Sequence, residues 1–178
     1  MQNLESQEMI QTIRNSANLD PLTKVYNRRF LYEKADELFS RKATRSNVIV
    51  SMIDADNFKG VNDTYGHKTG DVLLQEFSAL MKDYFPDDLI VRYGGEEFTV
   101  VSVRPPKVYL SALSAFMDAV RTTQFTSHKF NITCSIGVCA EEHPSLESQL
   151  EVADARLYNA KRAGRDQIML RDTEKQAS

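Results

Sequence analysis

Long apolar runs, cysteines, glycines and surplus positive charge are all scarce in this 178-residue chain, and each shortage removes a class of protein. No stretch approaches the roughly 18 uninterrupted apolar residues that a membrane span requires. The N-terminal MQNLESQEMIQTIRNSANL is too polar for a secretory leader. A cytoplasmic domain with no membrane contact from this segment is therefore expected. The formal net charge of -3 gives no broad basic field. A nucleic acid polymer is not an expected partner, although a local basic patch could still meet a small phosphate ligand. The two cysteines, Cys134 and Cys139, lie in FNITCSIGVCA, which reads as a strand. Five positions apart, they face opposite sides and sit roughly 16 Å from each other at ~3.3 Å per residue, too far for a disulfide. With no second Cys pair and no Cys/His ligand spacing, a structural zinc site is not expected.

What is present suits one ordinary α/β domain: 42% hydrophobic and 26% charged residues supply one core but not two. Residues 1–18 carry Met9, Ile10, Ile13 and Ala17 on one helical stripe, expected as a helix that forms a stalk leading from an upstream domain. Pro21 then breaks the chain, and Asp20 is placed to cap a helix running through Lys34 and Leu38. NVIVSMI, Asn47 to Ile53, has the β-branched, all-apolar character of a strand buried on both faces, and it ends in Asp54-Ala55-Asp56. NFKGVNDTYGHKTGD reads as turn-rich, with Asp71 opening a helix whose stripe is Val72, Leu74, Phe77, Leu80 and Met81. DLIVRY, a Gly-Gly turn and FTVVSV make a hairpin. A helix from about Val108 to Thr122, the strand ITCSIGV, a helix from about Leu146 to Arg162 and a short strand QIML complete an α+β sheet with helices packed against it. The seven glycines cluster in the connecting stretches and motifs, where the backbone must turn sharply or let something approach closely.

Taken singly, the candidate residues have plain explanations. Glu96 and Glu97 in RYGGEEF can be solvated turn residues, Asp54 and Asp56 strand-end caps, His67 a surface histidine, and the basic groups of AKRAGRD partners of a helix dipole. The combination argues otherwise. If the strand ending at Asp54 neighbours the hairpin, four carboxylates converge at one sheet edge, and converging carboxylates repel unless a hard cation such as Mg2+ neutralises them. Lys59, Asn62, His67 and Asp71 form a set suited to reading a nucleobase edge and contacting phosphate. Lys161 and Arg165 share a helical face if the helix continues, and so could clamp a polyphosphate.

DPLTKVYNRR, DADNFKGVNDTYGHKTGD, RYGGEEF, SIGV and ADARLYNAKRAGRD together resemble the GGDEF family of diguanylate cyclases, here in its GGEEF form. The resemblance covers about residues 19–170. It implies a catalytic domain over 19–172 with a palm-like mixed central β-sheet flanked by helices, nucleotidyl-cyclase-like, the signature lying on the hairpin turn; residues 173–178 are expected as a disordered tail. It further implies that Asp54, the backbone carbonyl of Ala55, Glu96 and Glu97 hold Mg2+ or Mn2+, and that Glu96 is the catalytic proton acceptor. Gly94 and Gly95 would let GTP phosphates approach, Asn62 and Asp71 would read guanine, His67 would line the substrate pocket, and Phe58, Lys59, Lys161 and Arg165 would position phosphates. Asp at position 71 favours GTP over mixed dinucleotides.

The implied reaction joins two GTP molecules into cyclic di-GMP, in a homodimer with one GTP per subunit and an upstream sensor domain. Metal ions and positioning would carry it, because an alcohol is a poor nucleophile at neutral pH. In one respect the chain departs from the pattern. Relatives with a product-inhibition site carry Arg-x-x-Asp just before the signature, and Phe85-Pro86-Asp87-Asp88 replaces that arginine by Phe85, so weak product inhibition is expected. The alternatives are a catalytically silent module that binds GTP or cyclic di-GMP, and a pure dimerisation scaffold, for which the nucleotide-site residues would have no purpose.

Overall fold

In the computed structural model, which describes residues 7, 9, 17–40 and 48–172, the centre is a strand that meets solvent nowhere. All seven residues of β2 (Ile49–Ala55) are buried. Such a strand needs cover on both faces, and its alternating side chains supply both. Ile49, Ile53 and Ala55 join one core cluster, and Val50 and Met52 the other. Around it the strands β1 (Tyr26–Asn27), β3 (Leu89–Arg92), β4 (Glu97–Ser102), β5 (Cys134–Cys139) and β6 (Ile168–Met169) form a six-stranded mixed sheet in the order β1-β3-β4-β2-β5-β6. The outer pairs β1/β3 and β5/β6 are parallel and the inner pairs antiparallel.

Two helical layers cover this sheet. On one face lie α3 (His67–Tyr84) and α4 (Pro106–Thr122), through Leu73, Leu74, Phe77, Met81, Tyr109, Leu113, Phe116 and Val120. Against the other face pack α1 (Arg28–Ser40) and α5 (Leu146–Arg162), through Leu31, Ala35, Leu146, Leu150, Ala153 and Leu157. The expected α+β architecture is present. Cys134 and Cys139 fall in opposite clusters, as strand alternation requires, and both are free thiols.

Several local expectations are corrected. The stretch expected as turns is helical: α2 (Phe58–Tyr65) leads through Gly66 into α3, which opens at His67 rather than Asp71. Its buried stripe includes Leu73, while Val72 is 38% exposed. Glycines misled the reading there, since Gly60 and Gly70 sit inside helices for packing reasons given below. Asp20 caps no helix; its carboxylate accepts from the Thr23 amide and hydroxyl at 2.9 and 2.7 Å, closing a local turn. The side chain of Asn27 performs the capping, accepting from the Phe30 amide at 3.0 Å. The last long helix ends at Arg162, and Gly164 and Arg165 follow at φ 117 and 65°. Lys161 and Arg165 therefore do not share a continued helical face. Of the N-terminal helix expected over 1–18, residues 7, 9, 17 and 18 are described and helical; Ile10, Ile13 and the tail 173–178 lie outside the described residues.

Candidate functional site

The register of β2 against β4 decides where the acidic groups meet. Asp54 pairs with Glu97, so the end of the buried strand and the start of the signature strand put two carboxylates side by side. Adjacent residue Glu96 adds a third, and the Lys161 ammonium, from the last turn of α5, pairs with Asp54. Burial raises Asp54 to about 6; the hydrogen bond and charge of Lys161 oppose this, and Glu96 and Glu97 add to it. The same causes raise Glu97: burial first, then Asp154 and Glu96 against the pull of Lys161. Burial alone would lower Lys161, but Asp54, Glu97 and Glu96 together leave it raised. Three carboxylates thus share one ammonium. This deficit of positive charge at a nearly dry position is what a divalent cation relieves.

Asp56 does not belong to that cluster. Its two oxygens accept from the Ser135 hydroxyl at 2.7 Å, the Thr133 hydroxyl at 2.6 Å and the Asp166 amide at 3.1 Å. It fastens the loop after α5 to the sheet, and that loop carries Arg165. Only three of the four converging carboxylates expected from sequence are brought together.

The signature turn is held from outside. Arg92 donates from Nε and Nη2 to the Gly95 carbonyl at 3.1 and 2.9 Å, while its Nη1 reaches Asp20 at 3.2 Å. The amides of Tyr93 and Gly94 both donate to the Glu97 carbonyl, at 2.8 and 3.2 Å. Neither signature glycine has a positive φ. Gly95 is instead a position where an added Cβ would meet nothing within 4 Å, while one on Gly94 would lie 3.4 Å from Glu97 Oε2, so the turn is open at Gly95 and close to a carboxylate at Gly94.

Glycines of the other kind shape the helical side. A Cβ on Gly60 would lie 2.4 Å from Asn57 Oδ1, and one on Gly70 would lie 1.9 Å from Asn62 Oδ1 and 3.3 Å from the Phe58 ring. Asn57 takes a left-handed conformation at φ 58° to start α2. The result brings Asn62 against Gly70, one residue before Asp71. Asn62 Oδ1 is buried and has no hydrogen-bond partner, an acceptor whose desolvation nothing in the fold offsets. His67 and Asp71, four residues apart on the first turns of α3, are both exposed. Lys59 is also exposed and pairs with Asp63 at 2.7 Å, while Phe58 packs on the core. Arg165 lines a cleft of about 620 Å3 with Asn57, Gly60, Tyr65, Arg121 and Phe130, on the side where α2 begins. Sequence reasoning missed Arg92 and the helix-packing role of Gly60 and Gly70, and it counted Asp56 among the converging carboxylates; the only signal for Gly70 was its spacing after Asn62.

The sequence and the fold both resemble those of known proteins. The sequence model described as "Diguanylate cyclase, GGDEF domain" matches residues 17–167. Diguanylate cyclase DgcP of Pseudomonas aeruginosa is 36% identical over 164 residues, covering 87% of this chain and 24% of that protein. Diguanylate cyclase DosC of Escherichia coli is 34% identical over 168 residues, covering 88% and 36%. The chain thus spans about a quarter to a third of these relatives. Among solved structures, the coiled coil and GGDEF domain of DgcB from Caulobacter crescentus, in complex with c-di-GMP, superposes with a TM-score of 0.85 at 28% identity, covering 96% of this chain and 94% of that one. The active GGEEF domain of a diguanylate cyclase from Vibrio cholerae gives 0.74 at 27% identity, covering 83% and 98%. With a buried Asp54 facing Glu97 across the sheet and the match running through nearly the whole described fold, the chain belongs to the diguanylate cyclase GGDEF-domain family.

Proposed function

We propose that this chain is a diguanylate cyclase domain that condenses two GTP molecules into cyclic di-GMP and two pyrophosphates, one GTP being held by each subunit of a homodimer. The observation that carries the reading is the cluster of Asp54, Glu96 and Glu97 around the single Lys161 ammonium. Asp54, the Ala55 carbonyl, Glu96 and Glu97 would hold Mg2+ or Mn2+, which when bound supplies charge neutralisation on the transferring phosphoryl and a more acidic attacking hydroxyl.

The chain's own groups do the rest. Lys161 lies within reach of both the carboxylates and a triphosphate laid along the turn, so its ammonium exchanges Asp54 for phosphate oxygens. The open space at Gly95 admits the phosphates, with Gly94 beside it, and Lys59 and Arg165 meet them from the α2 side while Phe58 packs beneath. The unpartnered Asn62 Oδ1 and the Asp71 carboxylate are acceptors. They match the N1–H and N2–H2 donors of guanine, whereas the corresponding edge of adenine presents an acceptor at N1. His67 borders that pocket. Glu96 takes the proton of the ribose 3′-hydroxyl as it attacks the α-phosphorus of the partner's GTP and pyrophosphate leaves. One site holds one nucleotide, so the symmetric product requires two subunits facing each other. The domain is proposed to act in the cytoplasm, with residues 1–18 joining it to a sensor; no helix among the described residues is long and apolar enough to cross a membrane.

Purified protein given GTP and Mg2+ is expected to release pyrophosphate and a cyclic dinucleotide. Glu96→Ala should stay folded by circular dichroism and lose at least about 100-fold in kcat. Full activity in that variant removes the proton-acceptor role. GTP binding without turnover by the wild type, even at high protein concentration, would identify a silent nucleotide-binding module instead.

A further inference from the structure

The end of the sheet away from Asp54 holds a second set of ligating side chains. Cys139 closes β5 opposite Val50, five residues from the Ala55–Cys134 pair, or roughly 16 Å at about 3.3 Å per residue. Glu141 and His143 follow at alternate positions of the connection to α5. The Cys139 sulfur, a Glu141 oxygen and a His143 nitrogen all lie within 4.8 Å of one another. Ligand atoms around a tetrahedral zinc are about 3.4–3.7 Å apart, given bonds of ~2.0–2.3 Å, so small side-chain rotations close the set.

We propose that Cys139, Glu141 and His143 bind one zinc-class divalent ion, at a site separate from the nucleotide site. Three further observations point the same way. Glu141 is already oriented: both guanidinium nitrogens Nη1 and Nη2 of the buried Arg156 donate to its carboxylate, and the Ala140 amide donates at 3.0 Å. A carboxylate offers about four lone-pair sites, so one remains for an ion. Arg156 also donates to the Val138 carbonyl at 2.7 Å and to Asp172 at 3.2 Å, and so acts as the outer support that metal-ligating carboxylates commonly have. Charge fits as well. With Cys139 as thiolate, it and the carboxylates of Glu141 and Asp172 outweigh Arg156 by two, the charge of the ion.

Beside the same thiol lies Gln149, fully buried, with Nε2 held by the Val48 carbonyl at 2.8 Å and its Oε1 without a partner. A sulfur ligand favours zinc over magnesium, so the two sites would not compete for one ion. The alternating Cys-x-Glu-x-His pattern escaped the sequence reading, which looked for Cys and His pairs alone. When filled, the site would tie the end of β5 to the start of α5, the helix that ends at Lys161.

The test is zinc titration of the purified protein in excess Mg2+, read by competition with a chromophoric chelator and by Tm. Expected are one zinc per chain, a rise in Tm, and near-ultraviolet thiolate-to-metal absorption in the Co2+-loaded protein. His143→Gln, in a half-buried position outside the helices and strands, should weaken zinc binding at least about tenfold and remove the Tm rise while leaving cyclic-dinucleotide synthesis unchanged. Cys139→Ser should remove the thiolate absorption. No zinc uptake overturns the proposal. So does uptake without thiolate absorption, or uptake lost in Asp54→Asn but kept in His143→Gln, since that zinc sits on the nucleotide-site carboxylates.

Discussion

Phe85 and Asp88, expected from the family resemblance to stand at the ends of an Arg-x-x-Asp product-inhibition pair, are each committed elsewhere. Phe85 is fully buried, its ring 5.3 Å from that of Phe116 and 5.9 Å from that of Tyr109. Asp88 has a side chain 1% exposed and is held by Nε and Nη2 of Arg104. Neither is free to grip a phosphate. Cyclic di-GMP is therefore expected to inhibit weakly through this position; tight, stoichiometric binding by isothermal titration that disappears in Asp88→Ala would refute this. Asp20 gives a pH prediction. Burial raises its pKa, but bonds from Thr23 and the charge and hydrogen bond of Arg92 outweigh that and leave it below the ordinary value. A depressed folded value means that the stabilisation is complete above the unfolded value of about 3.9 and is lost as pH falls below it through the folded value. Followed by tyrosine fluorescence, wild type should lose stability steeply below about pH 4, and Asp20→Asn should flatten the curve there.

At the scale of elements, two glycines separate packing from function. Gly137 lies where α5 crosses β5, and a Cβ there would come within 2.0 Å of the Ala153 carbonyl and 2.2 Å of the Leu157 amide. Both are backbone atoms, which cannot swing aside. Gly137→Ala is expected to cost about 1–3 kcal/mol, toward the upper end, and to lower Tm by several degrees in a thermal melt. Gly95→Ala meets no atom and no positive φ, so its Tm should match wild type. Its turnover should nevertheless fall, because the methyl group enters the space proposed for phosphate. Equal activity in the Gly95 variant would take that space out of the site. The hairpin, β2, β5 and α5 were legible as elements because alternation, β-branched runs and the caps at each end agree there. α2 and the start of α3 were not, since their glycines have packing reasons: Gly60 in α2 accommodates the Asn57 side chain, and Gly70 in α3 the approach of Asn62.

At the scale of the whole molecule, the proposed chemistry needs two copies. Turnover per chain should rise with protein concentration in the range where subunits associate, and a mixture of wild type with excess Glu96→Ala should lose activity faster than simple dilution predicts. Activity per chain that stays constant down to concentrations where light scattering or sedimentation shows only monomer would rule out the two-subunit site.

The sequence by itself determined the family, the sheet with its helices on both faces, and the residue types a metal and guanine site requires, because those follow from short-range pattern and motif spacing. Tertiary structure alone decided which of these groups meet. It is the β2/β4 register that sets Asp54 beside Glu97, and the Thr133 and Ser135 hydroxyls that draw Asp56 away into a structural bond. The end of α5 at Arg162 takes Arg165 off the helical face of Lys161 and into the cleft lined by Asn57 and Gly60. Contacts between residues forty to a hundred positions apart depend on strand pairing and helix crossing, and those are settled by burial of both sheet faces rather than by any local preference of the chain.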